Sequence, residues 1–323
     1  MAAAAGVSRS AVSKVIRNAY GVSPAMRARV EAAIAELDYR PSVAARAMRG
    51  ASFTLGVEVP GLSSDFFAMV INGANARLLG TPYQLIIAPG LGRSPGERVL
   101  DSLLDRQVDG IVAIASELSL ASLERVGAQR PLVLLGRHDR SLQFDTVAGD
   151  DVAGANLIMD HLFGLGHRRI THVTIKPPSR QSPHAMRRLT YRRRMAGVAL
   201  DAAEVYLSGD ARADSRRIQN LLRPAARPTA IFAGHDALAL AVLRECAALG
   251  LGPRDVAVVG YDDTPIAGHP FVDLTSVDQH GAQMGELAVE FLLARITGDP
   301  GHIRRQRRAP VLRIRGSSAA AGA

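Results

Sequence analysis

The sequence predicts an α/β protein, with a small all-α head at the N-terminus and a much larger core of parallel strands alternating with helices. Three observations carry this expectation. Residues 1–50 show helical spacing with capping signals. From Ser52 the pattern changes to short apolar runs separated by amphipathic stretches, in two blocks that divide near Asp150. A chain of 323 residues is also long enough for one small and one large unit, each with its own core.

Gly6 sits where a tight turn joins a preceding helix, and Ser8 is an N-cap for the next one. Val12, Val15 and Ile16 fall at helical spacing behind it, leaving Arg9, Ser10 and Lys14 on the outward face. A short polar-tipped helix entered through a Gly turn is the recognition half of a helix-turn-helix; taken alone it also fits a plain helical hairpin. Ser23-Pro24 opens a second helix, with Ser as cap and Pro at the first helical position. Met26, Val30, Ile34 and Leu37 give that helix one buried stripe. Ser42–Arg49 is too short to hold a helix alone, because nucleation is costly.

In the core, Leu55–Val59, Tyr83–Ala88, Gly110–Ile114 and Leu132–Leu135 read as buried strands. Helices are expected near Phe66–Leu79, Glu97–Arg106 and Leu118–Gly127. The alternation resumes with strands at Ile170–Ile175, Ala230–Ala233 and Val256–Val259. Ala282–Thr297 reads as the last helix and Val311–Ile314 as the last strand. The run Arg304–Arg308 is expected in a solvated loop rather than on nucleic acid, since it lies far along the chain from the head.

Net charge is +9, and residues 1–50 hold eight basic and three acidic residues, so the basic excess concentrates at the N-terminal end. That end suits a polyanion partner. The single Cys246, inside an amphipathic helical stretch, excludes a disulfide framework and a Cys-rich zinc site, and is expected in the core. No apolar run reaches membrane-spanning length, and no basic-then-apolar leader opens the chain, so a cytoplasmic protein is expected. There is no Gly-rich phosphate loop ending in Lys-Ser/Thr, no Gly-x-Ser-x-Gly elbow and no His-Glu-x-x-His. Gly90-Leu91-Gly92 is an isolated Gly pair. Asp160-His161 and His167 read as surface or capping groups. No catalytic residue, metal site or cofactor is expected, which argues against an enzyme. A secreted solute-binding protein is the other competing class, and a helix-turn-helix ahead of the core argues against it.

The run from Ala5 to Ile16 and the run from Tyr39 to Met48 match the signature and hinge of the LacI/GalR family of transcription repressors, and the resemblance extends almost to the C-terminus. It implies a helix-turn-helix head over 1–40 with a shortened first helix, and a hinge helix and linker over 41–51. It further implies an effector-binding and dimerisation core over 52–323, of two Rossmann-like lobes resembling a periplasmic sugar-binding protein. Lobe 1 takes about 52–149 and 280–308; lobe 2 takes about 150–279 and 309–318. Only Met1–Ala5 precede Gly6, where the family has a longer first helix, and Met1 falls where that helix usually carries Val. A Val codon that also serves as a start codon leads to the expectation that the natural protein begins several residues earlier. The alternative is a true truncation, leaving a solute-binding module without effective DNA binding; the mass of the natural protein separates the two.

The resemblance implies a homodimer on double-stranded, near-palindromic operator DNA. Arg9, Ser10 and Lys14 would meet base edges, while Ser8, Ser13 and Asn18 would hold phosphates. Tyr39, Ser42, Ala45 and Met48 complete the DNA surface, with Met48 wedging into the minor groove where relatives usually carry Leu. A small sugar-like effector would shift the lobes and change operator affinity, release being the commoner outcome.

In open parallel sheets ligands bind beyond the carboxyl ends of the strands, here Leu62–Phe67, Ala88–Gly90, Ala115–Glu117, Gly136–His138, Gly234–Asp236 and Tyr261–Asp263. The implied effector contacts fall mostly on these positions. They are Phe66 or Phe67 against the ligand ring, Arg137, Thr190, Arg194 in Arg-Met-Ala-Gly-Val as the forked guanidinium, His235 in place of a common Asn, Asp262 and Gln279. Sugar-responsive relatives often carry an acid directly after the fourth strand, where this chain has Gly136-Arg137. With Arg187, Arg188, Arg192 and Arg193 close to Arg194, that departure suggests an anionic effector such as a sugar phosphate or sugar acid.

Overall fold

The computed structural model describes residues 1–16, 19–38, 51–90, 96–177, 179–299 and 301–319. The chain divides into two compact units, Met1–Ser52 and Phe53–Ala323.

In the first unit, Met1–Ala5 form a single helical turn, closed by the Ala5 N–H on the Met1 carbonyl at 2.9 Å. Gly6 ends it with φ of +59°, a left-handed conformation that costs glycine little. The Gly6 N–H then donates to Ala3 O and the Val7 N–H to Ala2 O, the paired bonds of a Schellman cap. Helix α1 (Arg9–Ile16) starts at Ser8, whose Oγ accepts the Ala11 N–H at 3.1 Å. Helix α2 (Pro24–Glu36) starts at Ser23, whose Oγ accepts the Met26 N–H at 3.2 Å. Ala5, Val12, Val15, Val30 and Ala33 are the buried centre of this unit. The expected stripe on α2 shifts at its end: Ala33 is buried and Leu37, at the C-cap, is 48% exposed. Asn18, Tyr39, Ser42, Ala45 and Met48 lie outside the described residues.

The second unit begins with β1 (Thr54–Val59), α3 (Asp65–Arg77), β2 (Gln84–Pro89), α4 (Gly96–Asp105), β3 (Gly110–Ile114), α5 (Leu120–Gly127), β4 (Leu132–Leu135) and β5 (Asp145–Gly149). It continues with α6 (Asp151–Gly164), β6 (Ile170–Ile175), α7 (Pro183–Ala196), β7 (Ala203–Leu207), α8 (Ala211–Leu221), β8 (Ala230–Ala233), α9 (Asp236–Ala248) and β9 (Ala257–Tyr261). The last elements are β10 (Thr275–Asp278), α10 (Gly281–Ile296), β11 (Arg305–Arg308) and β12 (Val311–Arg313). One sheet has the order β11-β5-β4-β3-β1-β2 and is parallel throughout. The other has the order β12-β10-β9-β8-β6-β7 and is parallel except for β12 against β10. Central strands such as β1, β3, β4 and β9 are buried along their whole length, as parallel strands covered on both faces must be.

The chain passes between the sheets three times. After β5 it enters α6, whose Ile158, Met159 and Leu162 pack with the second sheet. After β10 it enters α10, whose Met284, Ala288, Val289 and Leu292 return to the core of the first. Between β11 and β12 it crosses again.

The Arg304–Arg308 run is not a loop. Arg305–Arg308 form β11, an edge strand paired in parallel with β5, Arg305 opposite Thr146 and Arg308 opposite Gly149. An edge strand needs one partner only, and long charged side chains blunt its open side, so an arginine run is compatible with that position. Buried Asp145 anchors this corner. It accepts a fork from Arg295 at 2.8 and 3.0 Å and the Arg304 N–H at 2.7 Å. His167 is also not a surface group: it is buried, and its Nε2–H donates to Ala319 O at 2.8 Å while His161 pairs with Ser318 Oγ, together tying the C-terminal segment to α6 and the turn that follows it. Cys246 lies in the core of the second sheet, where burial pushes its thiol up to about 11. No helix among the described residues is long and apolar enough to cross a membrane.

Candidate functional site

Strand ends of both sheets converge on a cavity of about 410 Å³. The first sheet contributes Ser63–Phe67 at the start of α3, Ala115–Glu117 after β3, and Gly136 and Arg137 after β4. From the second come His184 and Arg187 at the start of α7, His235 after β8, and Asp262 and Thr264 after β9, with Gln279 on the crossover after β10. Within each sheet, parallel strands deliver these loops to the edge formed by their carboxyl ends. Phe66 and Phe67 both line the cavity, their ring centroids 6.2 Å apart at an angle of 60°. Phe66 is 8% exposed and also belongs to the core; Phe67 is half-buried.

The polar floor is built around Arg187. Its Nε donates to Asp151 Oδ1 at 2.7 Å and its Nη1 to Gly234 O at 2.7 Å. The guanidinium also lies 3.5 Å above the centre of the Tyr261 ring and 3.8 Å from Asp262 Oδ1. Gln279 Nε2 donates to that same Asp262 oxygen at 2.6 Å. Asp262 holds φ of +108°, a strained value for a side-chain-bearing residue, and its N–H on Val277 O helps to fix it there. Burial raises the Asp262 carboxyl to about 8 against the pull of Arg187. Burial and the charge of Arg187 drive the His235 imidazole down to about 4 and that of His184 well below its ordinary value. The two rings therefore meet as neutral groups, centroids 5.5 Å apart in an edge-to-face pair.

Behind the rim, Glu58 of β1 is buried with Oε2 unpartnered, and burial lifts its carboxyl to about 7 despite a bond from Ser116. A carboxyl raised in the folded state favours folding fully below its unfolded value near 4.5, and that advantage is lost as pH rises through about 7. Glu58→Gln is therefore expected to exceed the parent in stability at pH 8, by up to ~3 kcal/mol for a shift of this size. The gap should close by pH 4.5; denaturant unfolding at the two pH values measures it.

On the head, Arg9, Ser10 and Lys14 are exposed along α1, Ser8 Oγ lies 2.8 Å from Ser10 Oγ, and Ser13 is half-buried. Residues 1–42 match the signature of bacterial regulatory proteins of the lacI family, and residues 159–318 match the periplasmic binding protein-like domain. The ribose operon repressor of Escherichia coli strain K12 is 32% identical over 324 residues, covering 97% of this chain and 97% of that repressor. The chain belongs to the lacI family. Among solved structures, a lac repressor dimer bound to operator and the anti-inducer ONPF matches with a TM-score of 0.81 at 25% identity, covering 99% of this chain and 98% of that one. A CelR–cellobiose complex matches with a TM-score of 0.72 at 29% identity, covering 98% of each. This lacI-family protein is a transcriptional regulator with a DNA-binding head and a two-lobed α/β core.

Of the expected effector contacts, the lacI-family core brings Phe66, Phe67, Arg137, His235, Asp262 and Gln279 to the cavity. Arg194 and Thr190 are not among its lining residues. Arg194 points to α6 instead, with Nη2 2.5 Å from Asp160 Oδ1 and Nη1 3.2 Å from Asn156 Oδ1; Thr190 is buried. The α7 guanidinium that lines the cleft is that of Arg187, seven residues earlier. Seven residues are nearly two full turns, so both arginines share a helix face, but they stand ~10 Å apart along the axis. Only the end of α7 that follows the strand reaches the cleft. Ala88–Gly90 do not line the cavity either.

The cations behind the expectation of an anionic effector are matched by acids, Arg193 excepted. Arg137 forks onto Asp139 at 2.8 Å through Nε and Nη2, and its Nη1 donates to Ser116 O and Leu118 O. Arg187 is paired with Asp151, Arg188 and Arg192 lie on Glu204, and Arg194 lies on Asp160. Exposed Arg193 does not line the cavity. His184 was missed, although Ser182-Pro183 repeats the Ser-Pro start of α2 and fixes where α7 begins.

Proposed function

We propose that this protein is a cytoplasmic repressor that pairs as a homodimer on a near-palindromic operator. Its operator affinity falls when an uncharged, hydroxyl-rich small molecule of the sugar class enters the cleft. It acts by binding, with no chemical step. The observation that carries the ligand half is the internal neutralisation of Arg137 and Arg187 by Asp139 and Asp151, beside the paired rings of His184 and His235 and the carboxyl of Asp262, which burial raises. Such a floor offers hydrogen bonds in both directions and no uncompensated cation for a phosphate. Phe66 and Phe67 supply an apolar face for a ring. The ribose operon repressor and the CelR–cellobiose complex, by their names, point to the same ligand class.

Calorimetry with D-ribose and cellobiose against ribose 5-phosphate and glucose 6-phosphate tests the ligand half. A neutral sugar should bind at least tenfold tighter than either phosphate and should release operator; preference for a phosphate would overturn the reading.

On the DNA side, Arg9, Ser10 and Lys14 meet base edges of the major groove, while Ser8, Ser13 and Asn18 hold phosphates. Met48 wedges into the minor groove, and Tyr39, Ser42 and Ala45 complete the DNA surface. Arg9→Ala is expected to cost ~1–3 kcal/mol of operator binding and to relax preference at one base position, whereas loss of a phosphate contact weakens all sequences alike. Anisotropy titrations on single-base operator variants distinguish the two.

A further inference from the structure

We propose that His138 is a positioning residue for the ligand response, joining the rim of the first lobe to the cleft arginine through Asp151. The inference rests on the ligand-responsive regulator reading, and His138 itself is not among the residues that line the cavity. His138 follows β4 on the first sheet, and its Nε2 lies 2.8 Å from Asp151 Oδ2. An ionised carboxylate only accepts, so Nε2 carries the proton. Asp151 opens α6, on the second lobe, and its other oxygen accepts from Arg187 at 2.7 Å. One buried carboxylate thus bridges the two lobes, with the cleft arginine on one oxygen and the first-lobe rim on the other.

Both ends of this bridge are held. Arg137, the preceding residue, fixes the rim by donating to Ser116 O and Leu118 O. The His138 N–H donates to Gln181 O at 3.1 Å, in the loop that leads into α7 and His184. Any ligand that draws Arg187 toward the cavity therefore works against Asp151, and through it against the placement of one lobe on the other. Packed joints of this kind have discrete arrangements rather than continuous ones, which makes them suitable for switching.

The test uses the full chain as His138→Ala and His138→Gln, since a glutamine amide can still donate to Asp151. Amide exchange without ligand should rise at least tenfold in 179–184 for His138→Ala, with β6, β8 and β9 unchanged, and return toward the parent for His138→Gln. Operator Kd should change fivefold or more in His138→Ala and recover in His138→Gln. Exchange altered only in 136–139, exchange raised throughout the second lobe, or an unchanged Kd beside altered exchange would each overturn the proposal. If the parent chain itself binds no DNA selectively, the regulator reading fails, and the exchange comparison still decides whether His138 holds the lobes.

Discussion

Arg187→Ala is expected to abolish binding of small ligands to the cleft and to lower stability by ~3–5 kcal/mol, the cost of breaking a buried ion pair from one side. The guanidinium is 3% exposed and supports Asp151, Gly234 O and the Tyr261 ring at once. Removing it leaves the Asp151 carboxylate charged in a buried site, with His138 as its remaining side-chain partner among the described residues. Adding Asp151→Asn to Arg187→Ala should restore part of the stability, because the orphaned charge goes, but none of the ligand binding. Arg194→Ala is the control. Its ion pair with Asp160 is solvent-exposed on the carboxylate side, so the change should stay within ~1 kcal/mol and leave ligand binding intact. Calorimetry and denaturant unfolding on the four proteins measure both effects. Equal losses from Arg187→Ala and Arg194→Ala would contradict the assignment of the cleft arginine.

Gly285→Ala, and independently Gly73→Ala, should cost more than ~3 kcal/mol or prevent the first lobe from folding, at the upper end of overpacking costs. At these two positions α3 and α10 cross with their backbones in contact. A Cβ on Gly285 would collide with the carbonyl of Val70, and one on Gly73 with the carbonyl of Ala282. Neither obstacle is a side chain that can turn away; the helices themselves would have to part. Their separation would open the packing of Val70, Ala74, Met284 and Ala288, which fill the centre of the first lobe. Gly164→Ala, at the end of α6 with nothing within 4 Å of the new methyl, should instead be neutral or slightly stabilising. Thermal unfolding followed by circular dichroism compares the three.

The sequence carried the architecture because its signals were local. Ser8, Ser23-Pro24 and Gly6 mark helix ends by their own chemistry, and short β-branched runs such as Ile111–Ile114 read as buried strands. Legibility was lost where the deciding partner is remote. Asp145–Gly149 holds an acid and a threonine, yet it is a buried strand because Arg295 and Arg304, distant in sequence, neutralise Asp145. Arg305–Arg308 pairs as a strand because β5 offers it an edge. In the cleft, Asp262, His235 and Gln279 could be located because they follow strands directly. Arg187 could not be told from Arg194, since residues seven apart share a helix face and only the start of α7 at Pro183 separates them. Charge was the least legible property: a cluster of arginines suggests an anion site until their acids, Asp139, Asp151, Asp160 and Glu204, are located in space.

On the proposed function, this chain recognises DNA sequence and releases it when a ligand fills the cleft. The most direct measurement is selection of operators from a random duplex pool by the full chain, followed by titration of the selected duplex with and without a neutral sugar that binds the cleft. A near-palindromic site should emerge, bound at least a thousandfold, ~4 kcal/mol, more tightly than random duplex at the same salt. Lys14→Ala should reduce that preference by ~1–3 kcal/mol, and the sugar should lower affinity for the selected duplex without affecting binding to random DNA. A pool that never enriches, or a selected site whose affinity is indifferent to every ligand the cleft binds, would contradict the account.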